Sequence, residues 1–214
     1  PRLLITCDAY YYAGKTIRMA DKIGNVLKEL KSVTQAVVID YAGEAESVAA
    51  ALPGAASFQA FLAGHDEGPI AFAQMPFDHP LYILYSSGTT GIPKCIVHRA
   101  GGILLKHLCE HVLNTDTKAS DRLFYFSTCG WMMWNWLVTG LATGATLLLY
   151  DGSPFHPSER VLFDFADAEG MTIFGTSAKY IDAVKKTGWQ PKLTHRLPAL
   201  RSMLSTGSPL SAES

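Results

Sequence analysis

The sequence carries little net charge and few charged residues, and both scarcities restrict what the protein can be. Its 18 Lys and Arg residues nearly balance 19 Asp and Glu residues, which leaves a formal net charge of -1 over 214 residues. Nucleic-acid binding depends on clustered positive charge that displaces counterions, so this balance gives no electrostatic basis for a nucleic-acid partner. Charged residues make up 17% of the chain and hydrophobic residues 48%, which excludes general disorder and favours a packed core.

Cysteines are also few, and no two of them are arranged as a CxxC pair. The chain has Cys7, Cys95, Cys109 and Cys129. This spacing speaks against a zinc ribbon, a thioredoxin-like motif and the disulfide framework of a small secreted domain. The N-terminus, PRLLITCDAYYY, also lacks the charged region and long apolar core of a signal peptide. We therefore expect reduced thiols and a cytoplasmic location.

The chain lacks an initiator Met and an evident terminal helix, so we expect an internal piece of a longer protein. One run, residues 131–150 (WMMWNWLVTGLATGATLLLY), is uncharged and about as long as a membrane-spanning helix. Thr, Gly and Asn residues interrupt this run, and no Lys or Arg flank supports membrane insertion. The pattern favours a buried helix, a glycine turn and a core strand, and therefore no membrane span.

Hydrophobic periodicity predicts two lobes, residues 1–75 and residues 76–214. In the first lobe, a strand near residues 3–5, helical spacing over 16–32 and a short apolar strand at 35–40 form a βαβ unit with parallel strands. A connecting segment rich in Pro and Gly leads to the boundary near residue 75. In the second lobe, apolar strands alternate with helical segments, including Ala178–Lys186. This alternation predicts an α/β fold with largely parallel sheets covered by helices.

The most informative segment is a polar loop, Tyr85–Lys94, with the sequence YSSGTTGIPK. Glycines let backbone N–H groups approach an anion, Ser and Thr hydroxyls donate hydrogen bonds to phosphate oxygens, and Lys94 adds positive charge. An ordinary surface turn would need only one or two such residues. The loop is not the Walker A sequence of P-loop kinases, and the chain has no GxGxxG dinucleotide fingerprint. The predicted phosphate contacts are Ser86, Ser87, Gly88, Thr89, Thr90, Gly91 and Lys94.

The loop resembles the signature phosphate loop of the adenylate-forming superfamily, which includes acyl-CoA synthetases, luciferases and nonribosomal peptide adenylation domains. Two longer runs, residues 79–105 and 130–154, resemble the acetoacetyl-CoA synthetase group in particular. The segment DAYYYAGK, Asp8–Lys15, is similar to a DGYRYNGK-like segment of the same enzymes, with departures at Ala9 and Tyr11. The resemblance therefore implies part of the large N-terminal domain of such an enzyme.

In that family a carboxylate attacks Mg-ATP to form an acyl-adenylate and pyrophosphate, and the thiol of coenzyme A then displaces AMP. The resemblance thus implies ATP, Mg²⁺, coenzyme A and a small acid, acetoacetate, as the protein's small-molecule partners. It implies adenine-end contacts by Gly207, Ser208 and Pro209, because TGSPL is similar to the family's G-E/S-P segment. It also implies an acyl pocket lined by Trp131, Met132, Met133, Trp134 and Asn135. Asn135 would donate a hydrogen bond to a keto oxygen of the acid. The alternative for some of these side chains is packing in the hydrophobic core without ligand contact.

Three expectations remain open at this stage. Acetyl- and propionyl-CoA synthetases are the alternative within the class. They have a GWVTG-like segment where this chain reads GWMMWNW. A noncatalytic nucleotide-binding module is the alternative outside it. The catalytic lysine and the metal ligands of the family would lie beyond this chain, so the isolated piece is expected to be inactive. His98, His107 and His111 lack an HExxH glutamate, and they read as ordinary histidines.

Overall fold

The computed structural model describes residues 1–86 and 91–212. Contacts divide the chain into two units. The first unit holds residues 1–72 and 151–157, and the second holds residues 73–150 together with the described residues from 158 onward. The division into lobes of one domain, 1–75 and 76–214, stays a prediction.

The first unit is built on a parallel sheet. Its elements are β1 (Leu3–Cys7), β2 (Ala9–Tyr12), β3 (Lys15–Arg18), α1 (Ala20–Glu29), β4 (Gln35–Ile39), α2 (Ala45–Ala51), β5 (Ala55–Ser57) and α3 (Phe58–Leu62). The strand order is β1-β4-β5, and β1 pairs with β4 in parallel from Leu3↔Gln35 to Cys7↔Ile39. The predicted parallel pairing is therefore confirmed.

A hairpin replaces the first turn of the predicted helix over 16–32. Strands β2 and β3 pair antiparallel, with Tyr12 opposite Lys15. Ala13 and Gly14 between them both have positive φ, which closes a tight turn and lets Lys15–Arg18 pair as a strand. Helix α1 then starts at Ala20 and packs Ile23 against Val38 and Val48 in the core of this unit.

A buried carboxylate fixes the loop that follows β4. Asp8 is fully buried at the end of β1, and its oxygens accept the N–H groups of Tyr41 at 3.0 Å and Glu44 at 2.8 Å. Its oxygens also accept hydrogen bonds from the N–H groups of Ala9 and Ala42. Burial alone would raise the pKa of Asp8, but these N–H donors favour the charged form and lower it. Asp8 thus joins the carboxyl ends of β1 and β4.

The short segment 151–157 belongs to the first unit by specific contacts. A hydrogen bond between the Tyr41 hydroxyl and Asp151 raises the pKa of Tyr41 to about 12. The ring of His156 lies so close to Gly14 that a Cβ built there would be 3.0 Å from it. Both contacts join residues far apart in sequence.

The second unit contains a hairpin and a larger parallel sheet. Its elements are β6 (Pro80–Ser86), β7 (Lys94–Arg99), α4 (Ala100–Leu108), a π-helical turn (Cys109–Asn114), β8 (Arg122–Tyr125), α5 (Met132–Thr139), a 3₁₀ turn (Gly140–Thr143), β9 (Thr146–Leu148), α6 (Val161–Ala168), β10 (Ile173–Ser177), α7 (Ala178–Lys186), a second 3₁₀ turn (Pro191–Leu193) and β11 (Ser202–Thr206). Strands β6 and β7 pair antiparallel. The larger sheet has the order β11-β10-β8-β9, and all its pairs are parallel.

Alternate residues of the central strands point to opposite faces of this sheet. Phe124 and Phe174 pack against residues of α6 and α7, such as Phe163 and Tyr180. Leu123, Tyr125 and Ile173 pack against Trp136 and Leu137 of α5 instead. Helices therefore cover both faces, which confirms the predicted α/β fold with largely parallel sheets.

The uncharged run 131–150 is divided among three elements. It forms α5, a 3₁₀ turn that ends at Gly144, and β9. Across residues 1–86 and 91–212, no helix has both the length and the hydropathy that a membrane crossing requires.

An ion pair joins the amino ends of the sheet strands. Asp121 precedes β8, and Arg201 precedes β11. The Arg201 guanidinium donates two hydrogen bonds to the Asp121 carboxylate, at 2.6 and 3.0 Å. The hydroxyl of Thr172, which precedes β10, donates to the same carboxylate at 2.8 Å. The Arg201 hydrogen bond is the main cause that lowers the pKa of Asp121 to about 2. Three strands are therefore fastened at their amino ends by one carboxylate.

We expect Asp121→Asn to lower the free energy of unfolding at pH 7 by about 2 kcal/mol, which corresponds to the shift of its pKa from 3.8 to about 2. Because the pKa is lowered on folding, this stabilisation is complete above pH 3.8 and is lost as the pH falls towards 2. Urea unfolding from pH 7 to pH 2 measures it, and the difference between wild type and variant should shrink on acidification. Asp116→Asn, in an exposed ion pair, is the matched control. A constant difference at every pH would contradict this account.

Gly175 in β10 leaves room for an aromatic ring. A Cβ built on Gly175 would lie 2.0 Å from Cδ2 of Tyr125, on the neighbouring strand β8. We expect Gly175→Ala to destabilise the fold by roughly 1–3 kcal/mol, because the ring has to move in a packed core. Gly102→Ala in α4, where nothing lies within 4 Å, should leave stability unchanged or raise it slightly. Equal melting temperatures for the two variants would show that the ring shifts at no cost.

Candidate functional site

A cavity of about 410 Å³ lies at the carboxyl ends of β8, β10 and β11. Residues after these strand ends and at the start of two helices line it: Tyr125, Phe126, Ser127, Thr128, Trp131, Met133, Thr176, Ser177, Lys179, Thr206, Gly207 and Ser208. Ligands of open parallel sheets bind beyond the carboxyl ends of the strands, where loops can converge on them. This cavity is therefore the candidate site of the second unit.

One phenol side chain, Tyr125, holds together the strand ends that form the floor of the cavity. The Tyr125 hydroxyl donates a hydrogen bond to the Thr176 carbonyl oxygen at 2.8 Å, and it lies 3.0 Å from the Thr206 hydroxyl. Because a phenol has one proton and a carbonyl only accepts, Thr206 must donate its own proton to Tyr125. The ring reaches this position because Gly175 has no side chain. One side chain thus links the carboxyl ends of β8, β10 and β11.

Trp131 and Met133 form the apolar part of the lining. Trp131 precedes α5 in an extended conformation and is 70% exposed, while the half-buried Met133 packs against the core cluster that includes Leu123 and Trp136. Apolar surface with a few hydroxyls suits a small ligand that has one polar and one apolar part.

The other three residues of the predicted acyl pocket do not line the cavity. Met132 is exposed, and Trp134 packs against the core cluster beside α5. Asn135 lies half-buried, and its carbonyl oxygen accepts the Thr139 hydroxyl one turn later. A helix turns by about 100° per residue, so consecutive residues cannot all face one cavity. The acyl pocket itself remains a prediction.

The predicted adenine-end segment begins where β11 ends. Gly207 and Ser208 line the cavity, whereas Pro209 is absent from its described lining. Gly207 has φ +90°, a left-handed conformation that L side chains rarely adopt, so the turn out of β11 requires glycine here. Eight lining residues escaped sequence reasoning: Tyr125, Phe126, Ser127, Thr128, Thr176, Ser177, Lys179 and Thr206. Their position at or just after a parallel strand was the available signal.

The predicted phosphate loop joins β6 to β7. Ser86 ends β6, Lys94 begins β7, and the two are register partners. Gly91 lies in the described part of the turn, and Ser87, Gly88, Thr89 and Thr90 lie outside the described residues. The structure therefore gives the two anchors of the loop, and the phosphate contacts stay a prediction.

The cavity lining does not fit a magnesium ion. Its residues offer no carboxylate, which is the ligand that Mg²⁺ prefers. Over residues 1–86 and 91–212 no group of three His, Cys, Asp or Glu side chains is placed to hold a metal ion. We assign no metal ligand within the described chain.

Two of the histidines weighed in the sequence take part in packing beneath α5. The His111 ring stacks on Trp136 with 3.9 Å between centroids, and its Nε2 donates to the Trp136 carbonyl oxygen at 2.8 Å. His107 Nδ1 lies 2.9 Å from the Thr139 hydroxyl. Burial lowers the pKa of both rings, so both are neutral at pH 7. They hold α5 against α4 and the π-helical turn that follows it.

Comparison with known proteins gives close relatives over the whole chain. The acetoacetyl-coenzyme A synthetase of Rhizobium meliloti (strain 1021) is 56% identical, with 100% of this chain and 32% of that protein covered. The malonamoyl-CoA synthetase of Penicillium aethiopicum is 42% identical, with 98% and 32% covered. The solved acetoacetyl-CoA synthetase structure from Streptomyces lividans superimposes with a TM-score of 0.87 at 42% identity, with 98% and 31% covered. The chain spans about a third of the length of these relatives.

A family model is more general than any single relative. The model described as "AMP-binding enzyme" matches residues 1–214, which is the entire chain. The fold and the glycine-rich loop between β6 and β7 agree with this match. The chain therefore belongs to the AMP-binding enzyme family.

Proposed function

We propose that the protein containing this chain is an ATP-dependent acid–CoA ligase that acts on acetoacetate. The observation that carries the proposal is the 56% identity to an acetoacetyl-coenzyme A synthetase over the full length of the chain. The cavity adds support, because about 410 Å³ lined by Trp131, Met133 and hydroxyls suits a short acid. Four cysteines without a disulfide within the described residues support a cytoplasmic location.

The proposed reaction has two steps. A carboxylate oxygen of the acid attacks the α-phosphorus of ATP, the bond to pyrophosphate breaks, and an acyl-adenylate remains. The thiol of coenzyme A then attacks the acyl carbon, loses its proton and displaces AMP. Mg²⁺ accompanies ATP in this proposal, and the cavity residues provide no ligand for it.

In the first step this chain's own contribution is positioning and charge stabilisation. Loop 86–94 would hold the terminal phosphates through backbone N–H groups, hydroxyls and the Lys94 ammonium. Gly207 and Ser208 would meet the adenine end, and Trp131 and Met133 would enclose the acyl chain. Because Gly207 and Ser208 directly follow a strand that is fastened at both ends, their positions would be preformed when the substrates arrive.

We expect the whole gene product that contains this chain to catalyse ATP–pyrophosphate exchange with acetoacetate in preference to acetate, propionate and butyrate. Exchange reports reversible acyl-adenylate formation and requires no coenzyme A. Preference for another acid would support the proposed ligase reaction but would show that acetoacetate is not the preferred substrate. Absence of exchange with every acid would refute the proposed function and favour a noncatalytic nucleotide-binding module.

We expect Met133→Ala to enlarge the acyl end of the cavity and to shift preference towards longer acids. The ratio of kcat/KM for 3-oxohexanoate to that for acetoacetate should rise about tenfold or more, because contacts with one or two methylenes are at stake. Met132→Ala is the matched control, since this neighbouring methionine does not line the cavity. The same ratio in both variants would show that Met133 does not line the acyl pocket.

A further inference from the structure

Lys179 brings a positive charge to a cavity with little other charge. It is the second residue of α7, it is exposed, and it belongs to the cavity lining together with Trp131 and Met133. No Asp or Glu belongs to the described lining. Within residues 1–86 and 91–212, neither a salt bridge nor a hydrogen bond joins the Lys179 ammonium to another side chain. The ammonium is therefore available to a ligand.

The hydroxyls of Tyr125 and Thr206 on the cavity floor have no proton to spare. Tyr125 donates its proton to the Thr176 carbonyl oxygen, and Thr206 donates its proton to Tyr125. The Thr176 hydroxyl oxygen is buried and has no hydrogen-bond partner among the described residues. Tyr125 and Thr206 can therefore accept a hydrogen bond from a ligand, but they cannot donate one to a ligand carbonyl. The other lining hydroxyls, those of Ser127, Thr128, Ser177 and Ser208, are neutral donors, whereas Lys179 is the charged donor of the described lining.

The acids named for two relatives share the feature that such a donor would recognise. Acetoacetate and malonamate both carry a carbonyl group at the third carbon, counted from the carboxyl carbon. An ammonium that donates to a carbonyl oxygen makes a strong, charge-assisted hydrogen bond. Lys179 is exposed, so water solvates its ammonium before an acid binds; a plain alkyl acid would displace some of this water and supply no acceptor in its place. Asn135, the donor that the sequence suggested, does not line the cavity.

We propose that Lys179 determines acid specificity by donating a hydrogen bond to the 3-carbonyl oxygen of the acid. The inference rests on the proposed ligase function and names the part of the acid that the cavity recognises. Lys179 selects 3-oxo acids over alkyl acids of equal length, and Trp131 and Met133 enclose the remainder of the acyl chain.

The test compares acetoacetate with butyrate, which has the same chain length and no 3-carbonyl, in the whole gene product. Lys179→Met should lower kcat/KM for acetoacetate about 10- to 100-fold, the range for loss of a hydrogen bond to a charged group, and change butyrate little. The KM for ATP should stay the same. Lys179→Arg keeps the charge and should restore part of the preference. Lys186→Met, an exposed lysine of the same helix outside the cavity, is the matched control.

Several results would overturn the proposal. An unchanged ratio of acetoacetate to butyrate would show that Lys179 does not contact the 3-carbonyl. Equal losses with both acids would place the ammonium at the reacting carboxylate, and a raised KM for ATP would place it at the nucleotide. If Lys179→Met fails to fold in a melting experiment, Lys179→Gln decides by the same ratio. A wild-type protein that activates no acid would refute the proposed function itself, whereas these outcomes concern Lys179 alone.

Discussion

The hydroxyl of Tyr125 makes the hydrogen bonds on which the candidate site depends. It joins the carboxyl ends of three parallel strands, and the cavity lies directly above the strand ends that it joins. The arrangement needs Gly175, because any side chain there would occupy the space of the ring. The same hydrogen bonds orient the Thr206 hydroxyl, so packing in the sheet sets the chemistry of the cavity floor.

The first unit uses the same principle with a different group. Asp8 lies at the carboxyl end of β1, and its buried charge is stabilised by backbone N–H groups of the loop after β4. A buried carboxylate is costly unless donors surround it, so its presence dictates the path of residues 41–44. In both units a polar side chain at a strand end orders the loops that follow.

The sequence predicted local features well and long-range contacts poorly. Helix α7 begins and ends where hydrophobic spacing placed it, and the parallel pairing of β1 with β4 followed from the βαβ pattern. The phosphate loop stood out because its composition is local. Tyr125 and Thr206 are separated by 81 residues, and no periodicity links them. The return of residues 151–157 to the first unit is likewise a contact between distant segments.

Within the candidate site the same limit applies. The run 131–135 was read as one pocket wall, yet a helix presents only some consecutive residues to one side, and Trp131 and Met133 are the two that reach the cavity. Lys179 was not singled out, because a lysine near a helix start has no distinctive pattern. Only the strand order shows that residues 125, 179 and 206 line one cavity.

Strand β11 is fastened to β8 at both of its ends, across the intervening strand β10. Arg201 holds the amino end through Asp121, and Thr206 holds the carboxyl end through Tyr125. A strand pinned at two points can neither slide along its neighbour nor tilt away from it without breaking one of these bonds. The sheet should therefore act as a rigid platform. Any adjustment of the cavity to the size of a ligand must come from the first turn of α5 and from the loops, and not from the strands.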